Sequence, residues 1–421
     1  MKVKLKAHRL TGTIRPPSSK SFTQRYILLA MAREGKTKII HVSGSEDEMV
    51  AMGIGRDSNF TVDYKDHEVL ITGKFKCPEK IYVGESATSY RLSMGFISGM
   101  RCRTRYKLAE SLSVRPNEPL EAALSTAGVK INRISKDEIE IDSSGIQSKD
   151  VKINGELSSQ FVSSLMLLSA GGFFKGKIII EGKKTSTGYI DITEKCLTDF
   201  GFTVKREKQI ISVSGSPHKG QIEVMVEADY SSAAYFIILG LLSSKEGIRL
   251  SGLSANSLQP DSAILNILKP YVKTFYTDNA GLEIECRQSH LDSIELDADQ
   301  NPDLAPIMSV IGIFSQNGII IRNIGRLSFK ESDRASSIIK LAEEFGASVI
   351  KDGTTLIIKK GKEIKHPLLV DFRDHRMIMA AAVAIVISGS DTSLCNTENV
   401  NKSYADFFKD LHSLGVSIES S

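Results

Sequence analysis

A period of about 70 residues, repeated six times, limits this chain to folds built from one supersecondary unit used six times over. Short polar clusters begin at Ser19, Ser86, Ser158, Ser231, Asp303 and Arg373, at spacings of 67, 72, 73, 72 and 70, and each runs into a mostly apolar stretch. Each cluster stands where a helix N-terminus is expected, with Ser, Thr or Asp able to cap it. Gly55, Gly128, Gly201, Gly346 and Gly415 recur in matching phase, at gaps of 73, 73, 145 (two periods) and 69, and suit left-handed helix C-caps. The residues after them, such as Val129–Ile131 and Phe202–Val204, are β-prone. The sixth glycine of the series is missing near Lys273, after an expected helix that contains Pro270. The unit therefore reads strand, helix, strand, helix, strand, strand.

At 421 residues the chain exceeds one ordinary core, and six repeats divide three and three. No linker or low-complexity stretch intervenes, so the crossings between halves are short, one near Asp229 and one near Pro16-Pro17. This predicts one domain over 18–228 and another from 1–17 plus 229–421, with closure around a ligand permitted by the two crossings. A net charge of +4 is too mild to demand nucleic acid and is compatible with a small anionic ligand. Met1–Ile14 alternates like a strand and lacks a signal-peptide core, and the longest apolar run, Met377–Ile387, is too short to span a bilayer. The five cysteines (Cys77, Cys102, Cys196, Cys286, Cys395) are scattered and form no C-x-x-C, which leads us to expect reduced thiols in a cytoplasm and no zinc site. No nucleotide-binding glycine motif and no metal-like histidine spacing is present.

Several clusters can carry chemistry. In Pro17-Ser-Ser-Lys-Ser-Phe-Thr-Gln-Arg25, Lys20, Ser21 and Arg25 fall near one helix entrance. They can hold a phosphate or carboxylate through charge-assisted hydrogen bonds of roughly 1.5–3 kcal/mol each. Cations there oppose the helix dipole, a cost that a merely solvated first turn does not explain. In Gly84-Glu-Ser-Ala-Thr-Ser-Tyr-Arg91, backbone N–H groups can face a ligand and Arg91 follows Thr88 by one turn; a structural turn fits equally. Glu156-Leu-Ser-Ser-Gln-Phe161 offers hydroxyls and an amide at a helix start, for a ligand or for capping alone. In Arg326-Leu-Ser-Phe-Lys-Glu-Ser-Asp-Arg334, Lys330 and Arg334 are expected on one helical face with Glu331 between them, either a tuned acid or a solvated charge run. His375 and Arg376 of Asp371-Phe-Arg-Asp-His-Arg376 open an apolar helix, and Asp303 begins another as a cap or an acid. With Arg115 and Lys402 the cations number at least seven against two candidate acids, Asp303 and Glu331. That balance predicts a pair of mutually repelling anionic substrates, whose orientation can contribute on the order of 7–11 kcal/mol.

At these residues, and over essentially its full length, the chain resembles the 5-enolpyruvylshikimate-3-phosphate synthase family, the 3-phosphoshikimate 1-carboxyvinyltransferases. The shared motifs are Ser-Lys-Ser-x-x-x-Arg, Gly-x-x-x-Thr-x-x-Arg, Arg-Pro, Ser-Ser-Gln-Phe, Tyr-Ile-Asp-Ile-Thr, Lys-Glu-Ser-Asp-Arg and Asp-His-Arg-Met. The resemblance implies an α/β fold, a two-domain inside-out α/β barrel with three βαβαββ repeats in each domain. It implies transfer of the enolpyruvyl group of phosphoenolpyruvate to the 5-hydroxyl of shikimate 3-phosphate through a tetrahedral intermediate. Shikimate 3-phosphate would contact Lys20, Ser21, Arg25, Ser158, Ser159, Gln160, Ser186, Asp303 and Lys330. Phosphoenolpyruvate would contact Lys20, Ala87, Thr88, Arg91, Arg115, Gln160, Arg334, Arg376 and Lys402. Proton transfer falls to Asp303, Glu331 and Lys20, with His375 beside them. No metal, organic cofactor, nucleic acid or membrane is implied, and the family expectation is a cytoplasmic monomer.

The chain departs from the family pattern at Glu85 and Ala87, where Asn and Gly are usual, at Leu92 in place of a proline, and at Ser328 in place of a common arginine. The Ala87 methyl narrows the space where glycine lets a ligand sit close, which predicts reduced sensitivity to glyphosate, the family's inhibitor. Two alternatives stay open: an enolpyruvyl transferase acting on UDP-N-acetylglucosamine, and an inactive paralogue that only binds anions. The first usually carries a reactive cysteine shortly before the position of Arg115, and Arg103–Val114 has none.

Overall fold

The computed structural model describes residues 1–156, 158–182, 187–278 and 281–420. They build six four-stranded sheets on one plan. In the second repeat, strand Lys80–Gly84 leads into helix Ala87–Gly99 and returns as the parallel strand Arg103–Leu108. Helix Glu118–Thr126 follows, and then the antiparallel pair Lys130–Ser135 and Glu138–Asp142, the latter inserted beside Arg103–Leu108. A parallel pair needs a long crossover, which the first helix supplies, whereas the last two strands need only a tight turn. Strands bury alternate residues, as in Val151–Asn154, where Val151 and Ile153 are buried and Lys152 and Asn154 exposed.

The chain forms two compact units, Ser18–Val226 and Met1–Pro17 with Glu227–Ser421. Each unit is closed by a strand from its far end in sequence. In the first, Ile222–Met225 pairs parallel with Thr37–Ile40 and so supplies the opening strand of the repeat that holds helix Lys20–Ala30. In the second, Thr11–Ile14 pairs parallel with Gly247–Ser254, and Lys2–Ala7 lies between Ser393–Cys395 and Val416–Ser420.

The two helices of a repeat differ in composition, and this sets the layers. The first helices (Lys20–Ala30, Ala87–Gly99 and Ser159–Ala170; Tyr230–Ser243, Ala305–Phe314 and His375–Ser388) are buried nearly all round and form the two separate cores. A helix apolar on every side belongs inside. The second helices, such as Glu46–Asp57 and Arg334–Glu344, bury one face only. Within the first unit, helices Ala87–Gly99 and Ser159–Ala170 meet backbone to backbone. A Cβ on Gly95 would stand 1.9 Å from the Ser164 carbonyl oxygen, and one on Gly99 would stand 2.1 Å from that of Leu168.

Four of the five phased glycines are left-handed: Gly128, Gly201, Gly346 and Gly415 have φ of 90°, 97°, 84° and 99°. Gly55 is not one of them. It lies inside helix Glu46–Asp57, and Asn59, at φ 72°, makes the turn, as asparagine can through its short polar side chain. Pro270 also falls outside its helix, which is only Ala263–Ile267; continuing it would set the proline ring against a carbonyl one turn back. The expectation of reduced thiols is overturned. Cys77 and Cys102 form a disulfide that ties the segment before strand Lys80–Gly84 to the turn after helix Ala87–Gly99, leaving Cys196, Cys286 and Cys395 free. These two are 25 residues apart in sequence, and only the parallel return of the repeat brings them together. Among the described residues no helix is long and apolar enough to cross a membrane.

Candidate active site

Two polar clusters lie at the N-termini of otherwise apolar buried helices, one cluster in each unit. In the first unit, Arg25 is 1% exposed. Its Nε donates to Thr193 Oγ1 (2.7 Å), Nη1 to the Ser21 carbonyl (2.7 Å), and Nη2 to Ser163 Oγ (3.3 Å) and the Tyr189 carbonyl (3.4 Å). Every one of these acceptors is uncharged. Burial, the largest influence, pushes the guanidinium down to about 10. Lys20, on the same helix, is ion-paired with Asp47 at 2.6 Å. Ser21, the next residue after Lys20, is half-buried.

The close seating of the glycine-lined helices brings Arg91 to Gln160. Arg91 Nη1 donates to Gln160 Oε1 (2.8 Å), and Gln160 Nε2 donates to Thr88 Oγ1 (2.9 Å). Ser164 Oγ holds the Arg91 carbonyl at 2.5 Å, and the guanidinium lies 4.9 Å from the Phe161 ring centroid. Arg91 Nη2 reaches the carbonyl of Pro116, the neighbour of Arg115. Ser158 caps its helix by accepting from the Gln160 backbone N–H, and Ser159 is buried beside it. Ala87 and Thr88 open helix Ala87–Gly99, which also carries Arg91. Glu85, whose charge is unexpected near an anion site, accepts from Ser111 Oγ at 2.7 Å. Ser186 lies outside the described residues.

In the second unit one guanidinium carries three carboxylates. Arg334, 1% exposed, donates from Nε to Asp374 Oδ2 (2.8 Å), from Nη1 to Asp303 Oδ1 (2.6 Å) and from Nη2 to Glu331 Oε2 (2.6 Å). Asp303 is also met by Arg376 Nη2 at 2.9 Å and by Lys330 Nζ at 3.5 Å. Burial alone would raise the Asp303 carboxyl, but Arg376, Lys330 and Arg334 outweigh it and hold it well below the usual carboxylate range. Burial, with Arg334, lowers the Lys330 ammonium to about 8, although Asp303 works against that. His375 is buried with Nδ1 3.6 Å from Asp374 Oδ1, and Lys402, itself buried, ends the 3₁₀ turn Thr397–Lys402.

Two local expectations need correction. Lys330 and Arg334 do not share a helical face, because the helix begins at Arg334 and Lys330 is extended; they converge through Asp303 instead. Asp303 is not the cap of its helix, which starts at Ala305 after Leu304; its carboxylate is engaged by cations from two other helix entrances. Sequence reading gave no role to Asp374, although it precedes His375 in a motif already singled out. It caps helix His375–Ser388 by accepting from the Arg376 N–H and also takes Arg334. Asp47, Thr193, Ser163 and Asp261 were likewise missed. Asp261, 1% exposed, accepts from Ser231 Oγ, and burial, with the charge of Asp303 next in weight, pushes it up to about 6. No local pattern marks it.

Residues 5–411 match the model of the family described as EPSP synthase (3-phosphoshikimate 1-carboxyvinyltransferase). The chain is 42% identical over 404 residues to the 3-phosphoshikimate 1-carboxyvinyltransferase of Thermoplasma volcanium, covering 95% of each chain. It is 38% identical to that of Picrophilus torridus, covering 99% of this chain and 100% of the other. In three dimensions it is similar to EPSP synthase from Acinetobacter baumannii, with a TM-score of 0.80, 24% identity and 100% of both chains covered. It is also similar to the enolpyruvyl transferase NikO from Streptomyces tendae, with a TM-score of 0.80, 16% identity and 99% and 98% covered.

Proposed function

The chain belongs to the EPSP synthase (3-phosphoshikimate 1-carboxyvinyltransferase) family, and on that premise we infer that it transfers the enolpyruvyl group of phosphoenolpyruvate to the 5-hydroxyl of shikimate 3-phosphate. The products are 5-enolpyruvylshikimate 3-phosphate and inorganic phosphate, and the reaction is a step of the shikimate pathway.

The chemistry runs by addition and elimination. A proton goes to C3 of phosphoenolpyruvate while the 5-hydroxyl oxygen bonds to C2 and gives up its proton. The tetrahedral intermediate then loses a proton from the new methyl group and expels phosphate. We assign the anion contacts to Lys20, Arg25, Arg91, Arg115, Lys330, Arg334, Arg376 and Lys402, and the proton transfers to Asp303 and Glu331, with Lys20 and His375 assisting. Asp303 is a poor base while three cations hold it. Substrate anions that draw on those cations raise its proton affinity, so it becomes a base when the substrates are bound. Ser158, Ser159, Gln160 and Ser186 supply neutral hydrogen bonds for hydroxyl and phosphate oxygens.

The observation that best supports this reading is Arg25, a buried cation bonded only to neutral oxygens among the described residues. A buried charge without a counter-charge is costly, and an anionic substrate supplies one. Nothing favours the UDP-N-acetylglucosamine reading, since the cysteine just before Arg103 is Cys102, already bonded to Cys77. A monomeric state, a cytoplasmic location and reduced glyphosate sensitivity through Ala87 belong to the proposal.

The test is phosphate release by purified protein given shikimate 3-phosphate and phosphoenolpyruvate together or singly. Release that needs both substrates is expected. Binding of both without release would leave an inactive paralogue, and no binding would refute the assignment of the acceptor.

A further inference from the structure

We propose that Thr193, together with Ser163, is a positioning residue for Arg25, holding the guanidinium by uncharged oxygens so that its charge and one N–H stay available to the acceptor substrate. The proposal rests on the reading of Arg25 as a shikimate 3-phosphate contact.

The geometry carries it. A guanidinium has five N–H groups and no acceptor. Four are used within the protein: Nε on Thr193 Oγ1, one Nη1 hydrogen on the Ser21 carbonyl, and both Nη2 hydrogens on Ser163 Oγ and the Tyr189 carbonyl. The fifth, on Nη1, has no partner among the described residues. Because Arg25 can only donate, Thr193 Oγ1 must accept, and its own hydrogen must point to Ser163 Oγ (2.8 Å) or the Tyr189 carbonyl (2.9 Å). Ser163 donates in turn to the Tyr189 carbonyl (3.4 Å). These two hydroxyls and one carbonyl therefore form a closed set that fixes the plane of the guanidinium. Thr193 and Ser163 are fully buried, so water does not substitute for them.

A carboxylate at position 193 would grip Arg25 more strongly but would cancel its charge. A hydroxyl orients the cation without doing so. This gives a role to the last residue of the Tyr-Ile-Asp-Ile-Thr motif. Thr193 reaches Arg25 across 168 residues of sequence, from the one-faced helix Gly188–Asp199 of a different repeat.

The test is steady-state kinetics on the full chain with Thr193→Val, Thr193→Ser, Ser163→Ala and Arg25→Lys. Valine keeps the shape and removes the acceptor. The expected result is a KM for shikimate 3-phosphate about tenfold higher, the loss of one charge-assisted hydrogen bond, with kcat and the KM for phosphoenolpyruvate within about twofold. Serine should restore it. Should the valine protein not fold, Ser163→Ala is expected to move the same KM in the same direction by a smaller factor. Arg25→Lys separates the two levels of argument. If it leaves the acceptor KM unchanged, the assignment of Arg25 itself is wrong. If it raises that KM while Thr193→Val and Ser163→Ala do not, the positioning role is refuted.

Discussion

Arg25 and Arg334 are equally buried, each at 1% exposure, yet their surroundings are opposite. Arg25 is held by two hydroxyls and two carbonyls, and burial lowers its proton affinity. Arg334 is held by three carboxylates, and although burial acts on it too, Asp374, Glu331 and Asp303 outweigh that and raise it. The difference separates two uses of a buried cation. An uncompensated one stores an unfavourable charge that a substrate anion relieves on binding. A compensated one is a scaffold that fixes the spacing of acids and helps hold Asp303 and Asp374 below the usual carboxylate range.

The sharpest way to break this comparison is to remove each arginine. Arg334→Met would leave three acids without their common partner and should destabilise the protein by about 3–5 kcal/mol. Arg25→Met removes an uncompensated charge, so its melting temperature should match or exceed that of the parent while acceptor binding is lost. Equal destabilisation of the two, measured by thermal unfolding, would remove the distinction.

The compensated cluster is also the proposed seat of proton transfer. Asp303→Asn keeps the shape but not the base, and kcat should fall roughly 10²–10⁴-fold. A kcat within a few-fold of the parent would move the role to Glu331.

Smaller effects sharpen the electrostatics. Lys330, lowered to about 8, is charged below that pH and neutral above it. The KM for shikimate 3-phosphate should therefore climb as pH passes 8, and Lys330→Arg, charged throughout, should flatten the profile. A wild-type KM that stays level from pH 7 to 9 would show that Lys330 does not hold the acceptor.

The smallest effect concerns Asp261. Its carboxyl is raised to about 6 when folded, above the usual carboxylate value, so the folded state binds more protons between those pH values and stability falls as pH rises through them. Asp261→Asn escapes that loss. Its melting temperature relative to the parent should be a few degrees more favourable at pH 8 than at pH 4, and a difference independent of pH would contradict the assignment.

What the sequence determined by itself is the repeat and the residues at its helix entrances. The period near 70 places one polar cluster at the start of each apolar helix. The order strand, helix, strand, helix, strand, strand follows from glycine and apolar spacing, which are local properties. Lys20, Arg25, Arg91, Asp303 and Arg376 stand at or near such starts, whereas Glu331 and Arg334 belong to the entrance of a one-faced second helix. Gly55 and Pro270 misled because a left-handed turn and a helix end can each slip by a few residues without disturbing the period.

Only the tertiary structure decided the partners. Thr193 lies 168 residues from Arg25, and Asp303 lies 73 from Arg376. Asp261 is 30 from Ser231, and Cys77 is 25 from Cys102. The first two pairs depend on which repeats become neighbours and the last two on how one repeat folds back on itself, and helix and strand periodicity is silent on both. The charge state of each group follows from those neighbours too. Arginine is the same letter at 25 and at 334; what differs is whether the fold surrounds it with hydroxyls or with carboxylates.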